Sequence, residues 1–348
     1  MIKKEKFNII ILLLLVGVIL LSLFYGAVKV PLKDIIKILL NKICGMDFEI
    51  SKRNFTSIVF YVRFPRVMCA VLVGGALGIC GCAIQSMLKN PIADSGIIGI
   101  SSGASLGAVI AIATGITTKY IFGMPILAIV FALFIAGIIY LFSATKGKTD
   151  SILLVLSGIA ISSFVGAVSS FILTSLVDSQ IKEYLFWSIG NLSGLRWEHF
   201  IAGFVPVIGL SFFLMHYGKE LNILLLGDEE AKSVGVDIKK TRKKILVLVA
   251  FLTSISVCIA GNIGFVGLIV PHILRKIIGS DNRKLLKSSF LAGAFFLVLS
   301  DLISRIALAP KEISVGIITC LIGAPYFIYL ILKMRREGRG IWVDLLLM

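Results

Sequence analysis

At 348 residues, 58% of them hydrophobic, the chain has only 16% charged residues, well below the quarter that a soluble domain of this length uses for its exterior. Its net charge of +16 would point to nucleic acid in a soluble protein. Here the Lys and Arg gather between long uncharged runs, which excludes nucleic acid and makes membrane lipid the expected surrounding.

Residues 7–28, 67–88, 95–118, 120–145, 151–177 and 245–274 contain no Asp, Glu, Lys or Arg, and roughly 20 apolar residues span a hydrocarbon core as a helix. The chain therefore reads as an all-α integral membrane protein. The first run follows MIKKEK. It is too long for a signal-peptide core and lacks a small-residue cleavage site, so it is expected to remain as the first span. Counting onward gives about ten spans: 7–28, 58–86, 95–115, 120–145, 150–176, 199–217, 244–261, 264–278, 288–308 and 312–333. An even number puts both termini on one side. With that side inside, the inner segments hold 22 of the 35 Lys and Arg, so both termini are expected in the cytoplasm. The polar segments 29–57, 178–198 and 218–244 are too short to bury cores of their own, and 1–348 is expected to form one transmembrane domain.

In chain order, the second span opens on YVRFPR, which puts Arg63 and Arg66 near its outer end as headgroup anchors or as partners for acidic groups on an external protein. In KNPIADSGIIGISSGASLG, Asn90 and Pro91 break the second span, Asp94 or Ser95 caps the third, and Gly99, Gly103 and Gly107 recur every four residues for close helix packing. Gly147-Lys148-Thr149 ends like a phosphate loop, but Phe142 stands where its first Gly belongs, so any ATP must be bound by another subunit. In the fifth span Ser162, Ser163, Gly166, Ser169, Ser170 and Thr174 form a small, weakly polar face, suited either to tight packing or to lining a pathway.

The inner segment then reads LLLGDEEAKSVGVDIKKTRKK. Asp228 is expected as N-cap, Glu229 and Glu230 favour the positive end of a helix dipole, Gly235 stops the helix, and Asp237 caps the next one. This is either a solvated loop or a short helix, within about 218–244, that docks into a partner's groove. The eighth span is short and is reached through Gly261-Asn262-Ile263-Gly264, so a half-helix or bent helix is expected, with Pro271 at the bend. Asp301 and Arg305 lie four apart and can pair, or Arg305 can reach the outer surface. Asp301 is also the obvious intramembrane carboxylate for an ion-coupled transporter. The three His lack ligand-like spacing, the six Cys lie mostly in apolar runs, and no catalytic cluster is evident, so neither a metal site nor enzymatic activity is expected.

Several stretches taken together carry a family resemblance: VRFPRVMCAVLVGGALGICGCAIQSMLKNPIADSGIIGISSGASLGA, FWSIGNLSG, LLLGDEEAKSVGV, GNIGFVGLIVPHILR, and the run from SDLISRIALAP to FIYLILKMRR. In order, over about residues 60 to 336, they resemble the FecCD family, the permeases of ABC importers for iron–siderophore complexes, haem and cobalamin. Ser95 departs from the Pro usual in that family. The resemblance implies ten helices per subunit, a second permease subunit (identical or paralogous), two ATPase subunits that hold ATP and Mg, and an extracytoplasmic substrate-binding protein. No cofactor would sit on this chain. It further implies that Asp228, Glu229, Glu230, Ala231, Val234 and Gly235 belong to the helix that couples to the ATPase. Arg63, Arg66 and Arg305 would meet Glu residues of the binding protein. A cytoplasmic gate would lie near Thr149 and Ser151, with Ser162, Ser163, Gly166 and Ser170 along the pathway.

Overall fold

The computed structural model describes residues 4–336 apart from positions 27, 121, 146, 147 and 150. The helices in chain order are α1 (Lys4–Phe24), α2 (Leu32–Cys44), α3 (Arg53–Met87, with a π-helical stretch at Ser57–Arg63), α4 (Ile100–Ala113), α5 (Gly123–Ser143), α6 (Ser151–Leu173) and α7 (Asp178–Ser188). They continue with α8 (Trp197–His216), α9 (Gly218–Leu226), α10 (Asp228–Ser233), α11 (Ile238–Ala260), α12 (Val266–Ile278), α13 (Asn282–Ile306) and α14 (Val315–Arg336). A two-residue antiparallel pairing of Ala144–Thr145 with Lys148–Thr149 is the only strand contact among the described residues.

Each of the ten expected spans falls on one of these helices. Seven of the helices are long and apolar enough to cross a membrane, and α4, α12 and α14 supply the other three. The segments read as polar loops hold α2, α7 and α9 beyond expectation, while α10 is the short helix that one reading of 218–244 predicted. In α2, Ile35 and Ile38 are fully buried, so this helix lies against the bundle.

Burial assigns the layers. The most apolar window of α3 is 89% buried, against 22% for α6 and for α8. Similar apolar composition thus serves two environments, a protein interior at the centre and an apolar exterior at the rim. α13 crosses α3, and near that crossing Asn282 accepts from Ser86 Oγ at 2.6 Å.

The stretch Lys89–Gly107 splits into three parts. Asp94 caps a 3-10 turn at Ser95–Ile98, accepting from the Ser95 amide. Gly99 is left-handed, at φ +72°, and starts α4, so it is a corner residue and does not extend the helical stripe. Gly103 and Gly107 carry the close packing: a methyl on Gly103 would lie 2.6 Å from the Phe131 carbonyl of α5, and one on Gly107 would strike that of Leu127.

α12 is the expected short helix. Pro271 lies inside it and removes the N–H that would reach the Gly267 carbonyl four residues back. Gln85 of α3 makes good this loss, donating to Gly267 O at 3.0 Å and to Leu268 O at 3.2 Å. Arg275 then donates to the other end of the same amide at 2.6 Å.

At the far end of α11 three elements meet backbone on backbone. The Asn191 amide donates to Ala260 O at 2.8 Å, and Gly316 N donates to Gly190 O at 3.2 Å. Gly261 abuts the Trp187 carbonyl, and Gly316 abuts that of Ile189. No side chain fits at either contact, so the end of α7 with the residues just past it, the end of α11 and the start of α14 form one joint.

Candidate functional site

The acidic segment between α9 and α11 is a short helix, as one of the two sequence readings required. Gly227, not Asp228, occupies the N-cap, and Asp228, Glu229 and Glu230 fill the first turn, where carboxylates favour the positive end of the helix dipole. The stop is a Schellman motif: Gly235 N donates to Lys232 O at 2.9 Å and Val236 N to Ala231 O at 3.0 Å. Gly235 takes φ +85°, the left-handed conformation that glycine adopts without a Cβ penalty. Two residues later Asp237 caps α11 by accepting from the Lys240 amide, and those contacts lower its carboxyl pKa.

Asp228 is free of the cap and instead pairs with Arg242, one turn into α11, at 2.9 Å. Ala231 is buried on the inner side of α10, while Leu226 and Val234 are 71% and 67% exposed and Glu229 and Glu230 point outward. The outward face is therefore two carboxylates flanked by two bare aliphatic residues. Where α9 meets the start of α13, Asp281 is held down to about 2 by hydrogen bonds from Arg283 and Asn222.

At the opposite end of the bundle the three arginines come together, but they face inward. Arg63, Arg66 and Arg305 are only 5–6% exposed, which corrects the expectation of a surface position for Arg63 and Arg66 and selects the paired alternative for Arg305. Arg63 donates to the carbonyls of Leu23, Phe24 and Val28, and Arg305 to that of Ser22, so together they satisfy the open end of α1. Asp301 pairs with Arg66 at 2.8 Å and with Arg305 at 3.1 Å, and Arg66 also reaches Glu312 at 2.8 Å. Burial without such partners would be prohibitive. Lys311 and Glu312 are the exposed charges above this cluster.

The face on α6 is open. Ser163, Gly166 and Ser170 are exposed, and nothing lies within 4 Å of a methyl built on Gly166. Ser162 turns inward and meets Ser102 of α4 at 3.1 Å. Thr149 lies in the two-residue pairing and Ser151 at the first position of α6, and both side chains fall outside the described residues. No cluster of metal-ligating side chains occurs among the described residues.

Sequence reasoning missed Gln85, Arg275 and Arg242. Gln85 and Arg275 lack a local signal, since each is set by a helix far away in the chain. Arg242 did leave a trace: with Ile245, Leu246 and Val249 it holds positions i, i+3, i+4 and i+7 on one face, and all four are buried.

A polytopic helical bundle with a short capped acidic helix beside its basic end is the architecture of an integral membrane protein. The profile of the FecCD transport family matches residues 12–333, and the chain belongs to that family. An uncharacterised ABC transporter permease, YvrB of Bacillus subtilis, is 37% identical and covers 93% of this chain and 92% of its own. The cobalamin import system permease BtuC of Halobacterium salinarum is 40% identical over 82% of this chain and 75% of its own. Other relatives, 32–36% identical, are named for hemin, molybdate and Fe(3+) dicitrate transport. A solved inward-facing structure of a metal-chelate type ABC transporter superposes with a TM-score of 0.82 at 30% identity, covering 94% of this chain and 99% of that one. The protein is thus a multi-pass membrane permease of the ABC importer class.

Proposed function

We propose that this chain is the transmembrane subunit of an importer for a metal chelate: a ferric siderophore, haem or cobalamin. Relatives named for cobalamin, hemin and ferric dicitrate support that cargo class. In this reading the chain sits in the cytoplasmic membrane with both termini inside and pairs with a second permease subunit, identical or paralogous. Two ATPase subunits bind ATP and Mg, and an external binding protein delivers the cargo. That protein docks at the end held together by Arg63, Arg66 and Arg305, where Lys311 and Glu312 are exposed. The α6 face with Ser163, Gly166 and Ser170 borders the pathway, gated near Thr149 and Ser151.

The observation that carries this reading is the fixed geometry of α10. A six-residue helix is too short to persist by propensity alone, yet this one is capped at its end and ion-paired to α11. Its outward face therefore reaches a partner already ordered, which lowers the entropic cost of docking. The transport cycle then consists of two conformations that ATP binding biases through differential contacts. The rival, an ion-coupled transporter, loses its best candidate group, because Asp301 is held between two arginines.

The test is E229K/E230K in the permease–ATPase complex. Substrate-stimulated ATP hydrolysis is expected to fall to the basal rate, while membrane insertion and elution profile stay unchanged. Undiminished stimulation would remove the docking assignment. The cargo itself is read by finding which chelate the cognate binding protein retains, with molybdate as the counter-case.

A further inference from the structure

Two grooves flank α11 near its basic end. One, of about 550 Å³, lies between α5 and α11, walled by Leu133, Gly137 and Leu141 and reaching from Lys243 to Phe251. The other, of about 430 Å³, lies between α8 and α11, with Phe213, Val247 and Leu248 as its apolar wall and Lys240 and Lys244 at its end. Lys243 and Val247 line both grooves, so the two run down either side of one ridge and share a basic head.

The depth fits one leaflet. At about 1.5 Å per residue, Lys243 to Phe251 covers roughly 12 Å, close to half of a ~30 Å hydrocarbon core. The charge is also uncommitted. Lys240 pairs with Asp237 at 3.2 Å, whereas Lys243 and Lys244 are exposed and have no acidic partner among the described residues. Tyr140 and Tyr217 lie beside the lysines on the flanking helices, the placement such rings take at a membrane interface. A soluble protein cannot follow apolar walls a leaflet deep, and a small anion has no use for them.

We propose that the base of α11 binds one anionic phospholipid of the leaflet on the α10 side. Its phosphate rests between Lys243 and Lys244, and its two acyl chains straddle the Val247 ridge, one in each groove. Opposite charge at the surface of an anionic leaflet supplies the selectivity, and apolar burial supplies the hold. The lipid would sit one turn from the Asp228–Arg242 pair and so bears on the root of the coupling helix.

The test uses the full-length chain in detergent, titrated with phosphatidylglycerol or with phosphatidylcholine of the same acyl chains, and bound lipid counted by native mass spectrometry. Phosphatidylglycerol is expected to be retained preferentially. K243Q/K244Q should weaken it about thirtyfold, from the typical contribution of two basic residues at such a surface. G137L, which fills one groove at a position with open space around it, should weaken both lipids without changing charge, and inorganic phosphate should displace neither. Equal retention of the two lipids, or no effect of K243Q/K244Q, would overturn the site. Loss in K243Q/K244Q with full retention in G137L, or displacement by phosphate, would overturn the straddled geometry and leave a plain charge contact.

Discussion

Asp301 is fully buried and serves two guanidiniums at once. Removing one member of such a cluster leaves unmatched buried charge, which typically costs about 3–5 kcal/mol. Asp301→Asn is therefore expected to lower the thermal midpoint of the detergent-solubilised protein by many degrees, and Glu312→Gln, whose own side chain is half-exposed, by far less. Equal midpoints for the two variants would sink the view that Asp301 organises the cluster. The arginines themselves were visible in the sequence as rare charges at span ends. The Asp301–Arg305 pairing was one of the two readings of α13, but the inward turn of Arg66 was hidden, because its partners arrive from 235 and 246 residues away. Gln85 was hidden for the same reason: a single amide in an apolar run acquires meaning only when a proline on another helix frees a carbonyl in front of it.

Helix contacts read more easily when they repeat. The four-residue spacing of Gly103 and Gly107 announced a close crossing, and α4 does meet α5 there with backbone against Cβ-free positions. Gly107→Val would press branched carbons into the Leu127 carbonyl, and overpacking of that kind costs typically 1–3 kcal/mol. The expected result is a lowered thermal midpoint, whereas Gly209→Ala on α8, with open space around it, should leave stability unchanged or slightly raised. A silent Gly107→Val would show that the two helices separate freely. α10 was equally legible, since cap, acidic turn and glycine stop are all local signals. The helix start was read one residue late because Gly227 is a weaker N-cap signal than the Asp beside it. α2, α7 and α9 escaped notice because short amphipathic helices beside apolar runs look like polar loops.

At the scale of the whole molecule, α6 has no partner among the described residues for the face that holds Ser163, Gly166 and Ser170. If that face borders an aqueous pathway, a cysteine at Gly166 in a C44S/C320S background should react with a membrane-impermeant maleimide in the assembled transporter. A cysteine at Phe134, 60% exposed on α5, should stay unlabelled in lipid. Protection of both would assign α6 to a sealed helix contact instead. The span count and the family resemblance were readable because both rest on local runs of residues. The three-way backbone joint beyond Ala260 was not, since its contacts pair segments far apart in the chain. That joint has a mechanical meaning. α11 has 23 residues, so it is a stiff lever roughly 35 Å long, and a tilt of about 5° at its basic end sweeps the other end through ~3 Å. The arm is clamped at one end to α10 through Asp228 and Arg242. At the other it accepts from the Asn191 amide just past α7, and the neighbouring Gly190 carbonyl accepts from Gly316 at the start of α14, backbone to backbone. A displacement imposed on the six residues of α10 would therefore reach the Gly190–Gly316 contacts at the other end of the arm enlarged.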